Sequence, residues 1–134
     1  MPSAFTWTVR VYYEDTDAGG IVFYANYLKF FERARTEWLR AAGVSQQDLL
    51  NQDGAMFVVK SASVDYHAPA RLDDVLNLTL SIEKLGRASV SFVQQAWCGD
   101  TLLTSASVKV GCVDAATLRP RSLPDATAAK MRAA

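Results

Sequence analysis

Asn26-Tyr27-Leu28-Lys29-Phe30-Phe31-Glu32-Arg33-Ala34-Arg35-Thr36-Glu37-Trp38-Leu39-Arg40-Ala41-Ala42-Gly43 is the stretch that decides the fold. Tyr27, Phe30, Phe31, Ala34, Trp38, Ala41 and Ala42 recur at helical spacing, while Lys29, Glu32, Arg33, Glu37 and Arg40 fill the opposite side, so the segment predicts one long amphipathic helix. Asn26 is read as its N-cap and Gly43 as its stop, which places the helix over about residues 27 to 42. On its N-terminal side Phe5, Trp7, Val9, Val11 and Tyr13 alternate with Thr6, Thr8, Arg10, Tyr12 and Glu14, the period of a half-buried strand. On its C-terminal side Ser45 and Asp48 predict a short capped helix through Leu50 that ends near Asp53-Gly54. Strand patterns then follow over Met56 to Tyr66, Leu76 to Ile82, Ser89 to Trp97 and Leu102 to Val113, with turns at Leu85-Gly86-Arg87 and Gly99-Asp100. A single helix must bury its apolar stripe against that sheet. The expectation is an α+β domain, one long helix wrapped by a curved antiparallel sheet of about five strands. Residues 120 to 134, rich in Pro, Ala and Arg, read as a loosely attached tail with helix after Pro124.

The chain has 134 residues, enough for one domain over 1–134 and too few for two ordinary cores. Its 14 basic and 14 acidic side chains cancel. That balance argues against a nucleic-acid footprint, which shows clustered basic excess. Met1-Pro2-Ser3-Ala4-Phe5-Thr6-Trp7 lacks the basic and apolar regions of a signal peptide, and no segment approaches the ~20 apolar residues of a membrane span. A cytoplasmic protein is expected, with Cys98 and Cys112 as reduced buried thiols.

The loop before the helix is the place built for chemistry. Tyr13-Glu14-Asp15-Thr16-Asp17-Ala18-Gly19-Gly20-Ile21-Val22-Phe23-Tyr24 joins crowded carboxylates, paired glycines and aromatics to a helix start, where unpaired N–H groups favour developing negative charge. If extended, the acidic run puts Asp15 and Asp17 on one face and Glu14 on the other. Asp15 reads as a turn brace and Asp17, directly before Ala18-Gly19-Gly20, as the reactant. The single histidine, His67, reads as a structural or surface residue at a strand end; with so few ligands no metal site is expected. There is no G-x-S-x-G elbow, no GxGxxG and no Walker loop.

Tyr13-Glu14-Asp15-Thr16-Asp17-Ala18-Gly19-Gly20-Ile21-Val22, Asn26-Tyr27 and Phe31-Glu32-Arg33-Ala34-Arg35 resemble the hotdog-fold thioesterases, and more closely their Tol-Pal-associated acyl-CoA thioesterase branch, related to 4-hydroxybenzoyl-CoA thioesterase. The likeness continues through Tyr66-His67-Ala68-Pro69-Ala70-Arg71-Leu72-Asp73-Asp74 and Val113-Asp114. It implies the hotdog fold and hydrolysis of an acyl-CoA thioester without a cofactor. Asp17 would be nucleophile or general base, and backbone N–H groups around Tyr24 would polarise the carbonyl. Many members of the branch carry histidine where this chain has Tyr24, so no histidine partner is assigned. Phe23 and Tyr27 are expected to line the acyl pocket, with the Tyr24 ring either there or packed on the core.

The same resemblance assigns the turn around Gly86-Arg87-Ala88-Ser89 to the nucleotide end of CoA, with Arg87 on a phosphate or simply solvated, Ser89 near the pantetheine and Lys60 as a weaker candidate. Glu32, beside Arg33 and Arg35, is expected to make a surface or interface ion pair rather than to act in catalysis. A homodimer or homotetramer is implied, and acyl carrier protein is a further candidate partner. The competing reading is an acyl-carrier-protein or envelope-complex interaction module with little turnover. A dehydratase ranks last, because His67 lies outside the compact motif such enzymes use.

Overall fold

A computed structural model describes residues 5–134; the expectation for the Met1–Ala4 end lies outside them. Strand β1 (Phe5–Arg10) leads through a 3-10 turn (Tyr13–Asp15) and the loop to helix α1 (Asn26–Ala41). Helix α2 (Gln46–Asp48) continues into a π turn (Leu49–Asp53), followed by β2 (Ala55–Tyr66), β3 (Val75–Leu85), β4 (Ser89–Cys98), β5 (Thr101–Asp114) and α3 (Asp125–Ala133). The five strands form one sheet in the order β1-β3-β4-β5-β2, and every neighbouring pair is antiparallel. This is the α+β hotdog arrangement the sequence predicts.

Alternation explains where the core sits. Leu76, Leu78 and Leu80 on β3, Val90, Phe92 and Ala96 on β4, and Ala106, Val108 and Val110 on β5 are buried, so one face of the sheet is apolar. The α1 stripe of Tyr27, Phe30, Phe31, Ala34 and Trp38 covers it. Trp38 and Phe92 lock the two layers edge to face, ring centroids 5.5 Å apart, a geometry worth about 1 kcal/mol beyond area burial. Gln94 is fully buried in this apolar layer. Its amide donates to the Phe31 carbonyl at 2.9 Å and accepts from Arg35 Nη1 at 3.0 Å.

Three expectations are corrected. The first strand stops at Arg10, because Val11 N–H turns to the Asp74 carbonyl and Tyr13–Asp15 tighten into a 3-10 turn. As a result Asp15 is buried while Asp17 is exposed, not side by side on one face. Asn26 begins α1 but does not cap it: Ala25 holds the cap position without a side-chain bond, and the Asn26 amide instead donates to Asp15 Oδ1 at 2.9 Å. Finally, the tail does not hang free. Leu123, Ala128 and Met131 are buried in the main core, and Leu123 N–H donates to the Arg87 carbonyl at 2.9 Å; these side chains have enough apolar surface to dock the segment.

Candidate active site at the start of the long helix

Asp15 builds the loop. Its Oδ2 accepts from Tyr12 N–H at 2.8 Å, its Oδ1 accepts from Asn26, and its carbonyl accepts from Phe23 N–H at 2.9 Å. One buried carboxylate therefore ties together both ends of the segment that carries Asp17. Within the segment, Asp17 and Ile21 pair through Asp17 N–H at 2.9 Å, and Gly20 N–H returns to the Asp17 carbonyl at 3.0 Å. Gly20 has φ +79°, a conformation side chains resist. Asp17 Oδ1 accepts from Gly19 N–H at 2.8 Å, which fixes the carboxylate and leaves Oδ2 without a partner among the described residues.

The backbone donors of the helix start are set by their peptide planes. Phe23 C=O accepts from Asn26 N–H at 2.8 Å, and Tyr24 C=O accepts from the Tyr66 hydroxyl at 2.8 Å. In a trans peptide N–H points opposite to C=O, so these two bonds aim the N–H groups of Tyr24 and Ala25. Neither N–H donates a hydrogen bond among the described residues. The α1 dipole adds partial positive charge at this end.

Beside this end lies a cavity of about 280 Å³ lined by Ile21, Val22, Tyr24, Tyr27, Tyr66, His67, Ala68 and Pro69. Tyr24, Tyr27 and Tyr66 form an aromatic wall, the Tyr66 ring meeting the other two at 6.1 and 5.8 Å. Burial pushes the Tyr66 phenol above its usual pKa, with Tyr24 adding to the effect. Burial also raises Tyr27. The Thr104 hydroxyl and Ala70 backbone oppose that rise, although the Tyr27 and Thr104 hydroxyls, both buried, fall short of hydrogen-bond geometry with any partner. His67 Nε2 lies 2.9 Å from Ser105 Oγ, so this wall includes a Ser–His contact.

A second group forms around an irregularity in the β2–β5 pairing. Lys60 is the extra residue of a bulge between β2 and β5. Its side chain crosses Gly111, with Cδ 2.7 Å from where a Cβ would stand, so any larger residue at 111 would push the lysine side chain aside. Gly111 pairs in turn with Ser89, and Arg87 Nε donates to Ser122 Oγ at 3.0 Å. The three residues that sequence singled out for CoA, Lys60, Arg87 and Ser89, thus belong to one corner of the sheet.

Residues 19–105 match the thioesterase superfamily model. The chain belongs to the thioesterase superfamily. It is 48% identical over 129 residues to the Escherichia coli acyl-CoA thioester hydrolase YbgC, covering 96% of each chain. It is 44% identical over 124 residues to the Haemophilus influenzae acyl-CoA thioesterase YbgC, 92% of this chain and 91% of that one. Among solved structures, a probable thioesterase from Bartonella henselae aligns with TM-score 0.87 at 33% identity, over 91% of this chain and 100% of the other.

Within this superfamily member the structure brings Asp17, Tyr24 and Tyr27 to one end of α1 and holds Arg87, Ser89 and Lys60 together elsewhere. Phe23 is exposed and does not line the aromatic cavity; its ring packs on Tyr24 instead, centroids 4.9 Å apart. Among the described residues Glu32 makes no ion pair within the chain: its Oε1 accepts from Thr36 Oγ1 at 3.1 Å, and the one ion pair there is Arg40–Glu37. Arg35 turns inward to Gln94, and burial lowers its pKa, an effect that nearby Glu32 opposes. Sequence reading did not single out Tyr66. Its strand position carried no local signal, since the partner carbonyl lies 42 residues away.

Proposed function

We propose that this protein hydrolyses acyl-CoA thioesters to the free acid and CoA. The observation that carries the reading is the pair of aimed, unengaged N–H groups at Tyr24 and Ala25 on the same loop as an exposed, oriented carboxylate. The thioester oxygen would sit on those donors, each worth about 3 kcal/mol to a developing oxyanion. Asp17 would then either attack the carbonyl carbon, expelling CoA thiolate and leaving an acyl-aspartate for water to open, or remove a proton from water attacking that carbon. The relatives named as acyl-CoA thioesterases support this substrate class. Steady-state release of free thiol from a panel of aliphatic and aromatic acyl-CoAs tests it; absence of turnover across the panel would reject it.

Tyr66 would then act as a positioning residue. Tyr66→Phe keeps the ring but frees the Tyr24 carbonyl, so kcat should fall about tenfold, the equivalent of one hydrogen bond of ~1.4 kcal/mol. KM should hardly change. A shift in KM alone, with kcat intact, would show that the hydroxyl serves packing or substrate affinity instead.

Arg87 would hold a phosphate at the nucleotide end of CoA, with Ser89 near the pantetheine and Lys60 as a secondary contact. Arg87→Ala should raise KM about tenfold with kcat nearly unchanged, as removal of ground-state binding does. Equal KM for the variant and the wild type would return Arg87 to the role of a solvated turn residue.

The active assembly in this reading is at least a homodimer. β2 lies at the sheet edge with unpaired backbone, Val59 is 52% exposed, and Leu28, Tyr24 and Tyr66 are exposed on the adjoining surface. An edge this long and apolar is covered in native proteins. Pairing of two β2 edges would cover it and would set the helix start of one copy against the other.

A further inference from the structure

We propose that Met131 is the stop that limits the length of the acyl group. The inference rests on the acyl-CoA reading above and names its substrate class. A cavity of about 130 Å³ lies between α1 and the sheet, with Leu39, Phe57, Val90, Phe92 and Val110 as apolar walls and Glu32, Arg35, Thr36 and Gln46 on its polar side. A second cavity of about 460 Å³ lies between Trp38, Ala41, Phe5, Leu80, Ile82 and Leu85. Met131 lines both, and no other described residue does. It is 1% exposed, and the edge-to-face pair of Trp38 and Phe92, one ring facing each cavity, continues the wall beside it.

The smaller cavity has the volume and apolar walls to take an acyl tail. An apolar cavity of ~150 Å³ holds one benzene, so this one accepts on the order of six carbons, as a chain or a single ring. Val59, which also lines it, stands on the exposed edge of β2. Antiparallel pairing of two β2 edges about a two-fold axis reverses one strand against the other. The Phe57–Val59 end of one copy is thereby carried toward the Tyr66 end of the other, where Tyr24 and Asp17 stand. The thioester would react on one copy while its tail enters the slot of the other. Beyond Met131 the larger cavity is closed to it.

The test compares kcat/KM for acetyl-, hexanoyl- and decanoyl-CoA in wild type, Met131→Ala and Met131→Leu. Truncation joins the two cavities, and the decanoyl-to-hexanoyl ratio should rise at least about tenfold, the effect of burying two or more further methylenes. Leucine keeps the wall and should keep the wild-type ratio. An active wild type with an unshifted ratio in Met131→Ala overturns the stop and leaves the thioesterase reading standing; a wild type inactive on every acyl-CoA overturns both. Should the alanine variant fail to fold, calorimetric binding of non-hydrolysable S-alkyl-CoA thioethers to the wild type decides. Affinity that rises to hexyl and falls by decyl supports the stop, and affinity still rising at decyl refutes it.

Discussion

Asp17→Asn should lower kcat for the best acyl-CoA substrate by on the order of 10² to 10⁴, the range for loss of a positioned base and a lower limit for loss of a nucleophile. The asparagine carbonyl can still accept from Gly19 N–H, the bond that Asp17 Oδ1 now takes, so the loop should keep its shape. The side chain is exposed, and stability should stay within about 0.5 kcal/mol of wild type. Thermal melting beside single-turnover kinetics measures both. Hydrolysis at a rate close to wild type by a normally folded variant would remove Asp17 from the mechanism. Mass spectrometry of quenched wild-type enzyme separates its two possible roles, since nucleophilic attack leaves the acyl group on Asp17 and base catalysis leaves the protein unmodified.

Asp15→Ala should act through the fold. The carboxylate is 6% exposed and takes hydrogen bonds from Tyr12 N–H and the Asn26 amide. Without it, two donors in a closed setting lose their acceptor at about 1 to 3 kcal/mol each, so the protein should lose roughly 2 to 6 kcal/mol of stability. Denaturant unfolding reads this as a lower midpoint at unchanged slope. Activity should fall as well, because the loop carrying Asp17 and the segment carrying Tyr24 are joined through this group. A loss below about 1 kcal/mol would mean that water replaces the carboxylate and that the brace is dispensable.

Periodicity made the scaffold legible. The α1 stripe and the alternating strands bury so much apolar surface that local pattern and tertiary demand agree. Ser45 accepts from Asp48 N–H as its spacing predicts. The failures share a cause. Asn26 has the right chemistry for a cap, but a buried carboxylate 11 residues earlier competes for its amide and wins. The alternation through Tyr13 continues past Arg10 in the sequence, yet the chain turns because Val11 finds Asp74 across the fold. The tail, rich in Pro, Ala and Arg, reads as loosely attached because Leu123 and Met131 are its only large apolar side chains, yet both reach the core together with Ala128. At the site, local motif placed Asp17 and the helix start. Tyr66, Gln94 and Met131 make their contacts with residues distant in the chain, where no spacing announces them.

The strand order has a consequence for how the molecule assembles. β3, β4 and β5 are joined by short turns and can zip in succession, whereas β2 pairs with β5, the strand farthest along the chain of the four that follow α1. During synthesis β2 therefore emerges well before its only neighbour and must wait, with Phe57, Val58 and Val59 uncovered, for a loop of high closure entropy to form. Slow acquisition of protection in its amides, and a window in which intermediates associate through that strand, are the kinetic signature to expect. Folding and self-association would then compete for the same backbone edge.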